Sequence, residues 1–256
     1  NGGLSILNPT TRTFTNLQND PIDRNSIGDH SIYSIYKDKS GNMWLGTFNG
    51  GVSFLNRNSN QFTHYKNLAN RNSLSNKLVL DFFEDSKNNF WIGTDGGGLN
   101  RFDRTTGKFT HYKNIPGNSK SISGNNVLAI KEDSRGNLWI GTWGEGITVW
   151  NVAKNTFRHF REGSNPAKNL GTNNVYGIEE GPDGKIWIAT FGAGLDCYDP
   201  KTDTFTHYNH IEGAPNTIGS SNIFSVKVGR KGNGWLGTFG AGLSLYDKKT
   251  DGFMRD

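Results

Sequence analysis

Four histidines, His64, His111, His159 and His207, recur at intervals of 47, 48 and 48 residues. Clustered imidazoles invite a metal reading, because they are common ligands for divalent transition metals. Each of these, however, is the fourth residue of the same short phrase, in turn QFTHY, KFTHY, TFRHF and TFTHY. One position repeated in separate units cannot converge on a single ion, so no metal site is expected. His30 and His210 fall outside the phrase. Acid–base catalysis would need two convergent groups with matched proton affinities. Asp81, Asp95 and Glu145 are unmatched in the repeat, and nothing in the sequence pairs them, so no catalytic residue and no cofactor are assigned.

The residues best suited to recognition are aromatic. After each Gly-Thr or Ala-Thr pair stand Phe48, Asp95, Trp143, Phe191 and Phe239. Aromatic faces stack on the C–H surfaces of sugars, while amides and charges hydrogen-bond hydroxyls. Polar partners would come from the repeat position of His30, Lys77, Asn125, Asn173 and Ser221, and from the next, Asn126, Asn174 and Asn222. Tyr33, Tyr176 and Phe224 point to the same opening on this reading, and Glu145, where other units have Gly or Ala, adds an acceptor. Two readings stay open for each set: the aromatics bind ligand or pack between sheets, and the asparagines recognise ligand or cap turns.

The elements that must position these residues follow from the repeat. NMWLGTFNGG, NFWIGTDGGG, NLWIGTWGEG, KIWIATFGAG and NGWLGTFGAG place Trp at 44, 91, 139, 187 and 235. Each unit parses into four short strands, typified by 126–133, 137–143, 146–151 and 156–160, with no window of helical periodicity. Four antiparallel strands per repeat of this length predict a β-propeller, an all-β fold of four-stranded blades. The consecutive apolar residues Leu138, Trp139 and Ile140 fit a strand covered on both faces, with the tryptophans filling the gap between sheets. At the position of Ser34, Asp81, Ala129, Gly177 and Ser225, small residues predominate, as crowding near an axis demands. The Gly-rich segments lack a following helix and a Lys-Ser/Thr pair, which excludes a phosphate cradle.

Blades are expected at about 26–66, 73–113, 121–161, 169–209 and 217–256, preceded by an outer half-blade at 1–15 whose inner strands are missing. A single propeller domain, 1–256, or an excerpt of a larger, seven-bladed ring, accounts for this, and the half-blade favours the excerpt. The charge of +5 is scattered among acidic residues, unlike the concentrated basic face of a nucleic-acid binder. The single Cys197 excludes an internal disulfide. No apolar run has the length of a membrane span, and NGGLSILNPT is no signal peptide, so the chain begins as a processed product or within a larger protein.

The motif [ED]-x-x-G-N-[LIM]-W-[IL]-G-T-x-G-G-G-L, with F-T-H-Y and N-S-[LI]-S-x-N-x-[VI] between copies, resembles the two-component regulator propeller repeat. It is similar to periplasmic sensor regions of hybrid two-component systems in gut Bacteroides-type bacteria. Asp38, Asp85 and Asp133 fit the turn before the Trp strand; Gly181 and Gly229 depart from it, and a different turn is expected there. The resemblance implies a non-catalytic, periplasmic ligand sensor. Its partners would be an oligosaccharide signal, further blades and a downstream sensor domain of the same protein, and a second copy in a homodimer. A membrane helix and histidine kinase would lie in other sequence. The alternatives from other classes are a protein-interaction platform and a propeller lyase or glycosidase.

Overall fold

The structure, a computed structural model, describes residues 2–69 and 71–255. Its strands form one two-stranded and five four-stranded antiparallel sheets. The two-stranded sheet pairs β1 (Leu4–Asn8) with β2 (Thr13–Leu17). The first full blade holds β3 (Ile32–Lys37), β4 (Met43–Thr47), β5 (Val52–Leu55) and β6 (Phe62–Tyr65), the second β7 (Val79–Glu84), β8 (Phe90–Thr94), β9 (Gly98–Asp103) and β10 (Lys108–Tyr112). The third holds β11 (Val127–Glu132), β12 (Asn137–Thr142), β13 (Ile147–Asn151) and β14 (Thr156–Phe160). The fourth holds β15 (Val175–Glu180), β16 (Ile186–Thr190), β17 (Leu195–Asp199) and β18 (Thr204–Tyr208); the fifth β19 (Ile223–Val228), β20 (Gly234–Thr238), β21 (Leu243–Asp247) and β22 (Gly252–Arg255). Strands follow one another across each blade in chain order, and no described residue is helical, so the chain is a β-propeller of five blades and a partial sixth.

Contacts divide the chain into two compact units. Unit one is residues 1–113 with 125–127, and unit two is 114–124 with 128–256. Within unit two, β15 lies against β19, and the second strands β12 and β16 lie against the first strands of the next blades. Trp139 packs there with Ile147, Phe160, Val175, Ile178 and Tyr198, and Trp187 packs with Leu195, Ile223, Leu236, Tyr246 and Phe253. In unit one, Trp44 packs with Val52, Val79, Phe82, Phe90 and Phe102. Four of the five repeat tryptophans are buried, as their position between sheets requires. Trp235 differs at 49% exposure.

A second interaction fixes three of these indoles. Asp38 Oδ2 accepts from Trp44 Nε1 at 2.9 Å and its Oδ1 from the Asn42 backbone N–H, while Asp85 with Trp91 and Asn89, and Asp133 with Trp139 and Asn137, repeat the arrangement. Burial alone would raise the Asp133 carboxyl; the bonds from Trp139 and Asn137 override it and hold it below the ordinary carboxylate value. In the fourth and fifth blades the expectation of a different turn is corrected. Gly181 and Gly229 make the same pair of backbone bonds, Gly181 N–H to Lys185 O and Gly184 N–H to Gly181 O, Gly229 N–H to Asn233 O and Gly232 N–H to Gly229 O. The backbone closes the hairpin without help, and only the carboxylate is lost.

Candidate functional site

The turn between second and third strands is built identically in every blade. Thr47, Thr94, Thr142, Thr190 and Thr238 each donate their hydroxyl to the carbonyl four residues on, at 2.7–2.9 Å. Gly146, which ends one such turn, has φ of +70° and packs against the Phe160 carbonyl, so a side chain there meets both strain and backbone. The repeated Gly and Thr are therefore architectural. The residue after Thr is left pointing outward.

The first strands supply a second aromatic by a different device. Their pairing to the second strands slips by one residue between Ile32 and Ser34, Val79 and Asp81, Val175 and Gly177, and Ile223 and Ser225. A bulge leaves its extra residue without a cross-strand partner and re-aims it. Tyr33, Leu80, Tyr176 and Phe224 occupy that position, and three of them are aromatic.

In unit two these devices converge. Trp143 meets Tyr176 at 5.8 Å between ring centroids and Phe191 at 5.8 Å; Tyr176 meets Phe191 at 5.9 Å and Phe224 at 4.9 Å; Phe224 meets Phe239 at 5.8 Å. The five rings form one continuous strip across three blades, and Trp143, Phe224 and Phe239 are 43%, 41% and 60% exposed. Such a contiguous exposed apolar strip is a candidate interaction surface. Phe191 and Tyr176 are half-buried within it. In unit one, Tyr33 and Phe48 stack at 6.0 Å and, with His30, line a hollow of about 500 Å³.

The polar candidates divide. Asn174 Oδ1 accepts from Gly144 N–H at 3.0 Å and Asn173 Oδ1 from Glu162 N–H at 3.0 Å, so both amides cap turns. The backbone carbonyls of Asn174 and Asn222 accept from Phe191 and Phe239, fixing the aromatic turns. Lys77 is exposed, with its carbonyl bonded to Gly51 N–H; Asn126 and Asp95 are half-buried, and Asp95 N–H bonds the Leu78 carbonyl. Glu145, two residues after Trp143 in the same turn, pairs with Arg161 at 2.9 Å.

The repeated histidines have structural partners. His159 bonds Thr148 Oγ1 and the Ser119 carbonyl, His111 the Ser73 carbonyl, and His64 Ser53 Oγ. His207 bonds Asp196 Oδ1 at 2.6 Å and the Pro166 carbonyl at 2.7 Å. Both its partners are acceptors, and the Asp196 bond, opposed by burial, holds its proton affinity above the ordinary histidine value. His210 takes the place of Asn67 and Asn114, bonding a loop carbonyl, Ile218 O, at 2.8 Å. No group of three or more potential metal ligands exists among the described residues. Burial pushes the Cys197 thiol up to about 12, which leaves it unreactive.

The profile of the two-component regulator propeller matches residues 26–49, 73–96, 121–144 and 169–192. Those four segments carry the repeat of that family. Each matched segment of this propeller runs from the crossover loop through the Trp strand to the outward-pointing turn, and the matches include Trp143, Tyr176 and Phe191 of the aromatic strip but not Phe224 and Phe239.

Among solved structures, the propeller is similar to the extracellular domain of the hybrid two-component system BT3049 from B. thetaiotaomicron, at 28% identity and a TM-score of 0.77, over 100% of this chain and 31% of that one. It is also similar to the extracellular domain of BT4673 from the same organism, at 20% identity and a TM-score of 0.63, over 100% of this chain and 40% of that one. A virginiamycin B lyase from Staphylococcus aureus shares the fold at 15% identity and a TM-score of 0.66, over 95% of this chain and 73% of that one. The chain thus spans about a third of the length of the first of these structures. No curated protein sequence matches it. No helix among the described residues is long and apolar enough to cross a membrane.

Proposed function

We propose that this propeller is the ligand-sensing part of a hybrid two-component regulator, lies in the periplasm, and binds an oligosaccharide without turning it over. The observation that carries this reading is the exposed strip Trp143–Tyr176–Phe191–Phe224–Phe239, whose rings offer flat apolar faces beside turn amides and an ion pair. The four matched family repeats and the likeness to the extracellular domain of a hybrid two-component system support the sensor assignment. Isothermal calorimetry against glycan fragments tests it: binding by the wild type and at least about a tenfold loss in Trp143→Ala, at an unchanged unfolding midpoint, is expected for a stacking residue. No binding to any fragment would sink the reading.

A second surface supports contact with other parts of the same protein. Trp235, Leu245 and Met254 are neighbours in register across β20, β21 and β22, and Trp235 and Met254 are 49% and 56% exposed. The equivalent Trp187 face of the fourth blade is covered by the fifth. The occupant of this face is another blade. Hydrogen exchange on a longer form of the protein should show the Trp235 strand protected relative to this chain.

A further inference from the structure

Glu145 is the one residue of the third blade's turn that the repeat does not explain. The corresponding positions are Gly50, Gly97, Ala193 and Ala241. Its place is prepared from below. Where the other crossover loops carry Asp29, Asn76, Thr172 and Ser220, this blade has Gly124, and a Cβ on Gly124 would fall 2.8 Å from the Glu145 Cβ. The side chain missing from one loop therefore makes room for the carboxylate on the other. Arg161 is brought alongside because Gly146, the next residue, packs against the backbone of Phe160 and Arg161. Two amides lock the arrangement: Asn174 holds Gly144 N–H, and Asn173 holds Glu162 N–H.

Stability does not account for the pair. Glu145 and Arg161 are 47% and 52% exposed in their side chains, and an ion pair so solvated contributes about 0–1 kcal/mol. What the arrangement does provide is a paired carboxylate and guanidinium on the turn that carries the exposed Trp143 indole two residues away. A carboxylate accepts two hydrogen bonds side by side, and the guanidinium keeps further N–H donors for an oxygen acceptor. Resting on the oligosaccharide reading above, we infer that Glu145 and Arg161 form the specificity-determining polar subsite of this propeller, and that it selects a neutral sugar through two adjacent hydroxyl groups. The hydroxyls donate to Glu145 while Arg161 donates to a ring or hydroxyl oxygen, and the ring face lies on Trp143. A uronate or sulfated sugar is rejected, because its anion must displace Glu145 from Arg161 and then sit beside the freed carboxylate.

The test uses calorimetry on the chain with two sets of probes, neutral hexasaccharides of xylose, glucose and galactose, and oligogalacturonate with chondroitin sulfate fragments. Wild-type, Trp143→Ala, Glu145→Gln, Glu145→Ala and Arg161→Lys proteins are compared after their unfolding midpoints are matched. A neutral hexasaccharide should bind the wild type, and both Glu145 variants should weaken it about tenfold or more, as expected when a site that hydrogen-bonds hydroxyls loses its acceptor. Arg161→Lys, which reproduces Lys66 and Lys113 of other blades, should weaken it less. If the neutral sugar binds and Trp143→Ala abolishes it while both Glu145 variants bind normally, the subsite is wrong and the oligosaccharide reading stands. Binding of the anionic probes alone, strengthened by Glu145→Gln, overturns the neutral selection and again leaves the broader reading intact. Silence from every probe removes both.

Discussion

Trp139 and Trp143 stand four residues apart in one blade and do opposite work. Trp139, on β12, is 1% exposed, packed among Ile147, Phe160 and Tyr198 with its N–H on Asp133. Trp143, one residue past β12, is 43% exposed and meets Tyr176 edge-on and Phe191 at a tilt. The strand holds the first between sheets; the Thr142 clamp ends the strand and turns the second outward. The contrast shows that a repeated aromatic is wall or surface according to which side of the Thr it occupies. Repetition by itself does not distinguish them.

The largest expected effect breaks the comparison directly. Trp139→Ala should destabilise the propeller by about 3–5 kcal/mol, the usual cost of emptying a core site of this size. Trp143→Ala should cost far less, about 1 kcal/mol, since 43% of its surface already meets water. Paired denaturant titrations read both, and equal losses would erase the distinction between wall and rim. Trp235→Ala, at 49% exposure, should resemble Trp143→Ala and not Trp139→Ala in its cost.

Much of the wall was legible in the sequence because it repeats. The period located every Trp strand, and the strands of the third blade begin and end within one residue of their expected limits. The rim was legible in part. Phe48, Trp143, Phe191 and Phe239 follow the Thr in plain view, yet whether they packed or projected depended on where each strand stopped. The bulge that re-aims Tyr33, Tyr176 and Phe224 left no mark in residue type, because a slip of register is a property of two strands. Arg161 was missed since its neighbour Glu145 lies sixteen positions away and only the fold of Gly146 against Phe160 joins them. The signal that could have found it was the coincidence of Gly124 with Glu145, one loop losing a side chain where the other gains one. The carboxylate–indole bond was equally hidden, although its spacing recurs at Asp38, Asp85 and Asp133.

A smaller effect sharpens the account of the wall. Asp133→Ala leaves a buried indole N–H without an acceptor and should cost about 1–3 kcal/mol. The same change has been made by the repeat itself at Gly181, where the hairpin backbone is retained, so the loss should appear in stability and not in the turn's amide shifts. The carboxyls of Asp38 and Asp133 are held below their ordinary value, with burial opposing and the Trp and Asn bonds prevailing. Their contribution is present above the unfolded carboxylate value and declines as pH falls through the folded one. Acid unfolding of the Asp133→Ala protein should therefore be shallower than that of the wild type.

The smallest effect separates histidines that the sequence presents as equivalent. His207 is raised, chiefly by its bond to Asp196 against the opposing effect of burial, whereas His64 is lowered, chiefly by burial, with Lys66 adding to it. The signs are opposite. Stability from His207 is fully present below the unfolded histidine value, about 6.5, and fades as pH rises through its folded value; His64 costs stability as pH falls from about 6.5 through its lower folded value. Above its folded value, neutral His207 retains one ring proton and faces two acceptors, Asp196 and the Pro166 carbonyl, so one bond must be given up. Asp196→Ser, which copies Ser53 and Ser244 of other blades, should bring the His207 titration back toward the ordinary value and flatten the alkaline side of the stability profile. NMR titration of the imidazole protons resolves the two residues separately. Identical midpoints for His64 and His207 would mean that position in the repeat, and not the residue facing each ring, sets their protonation.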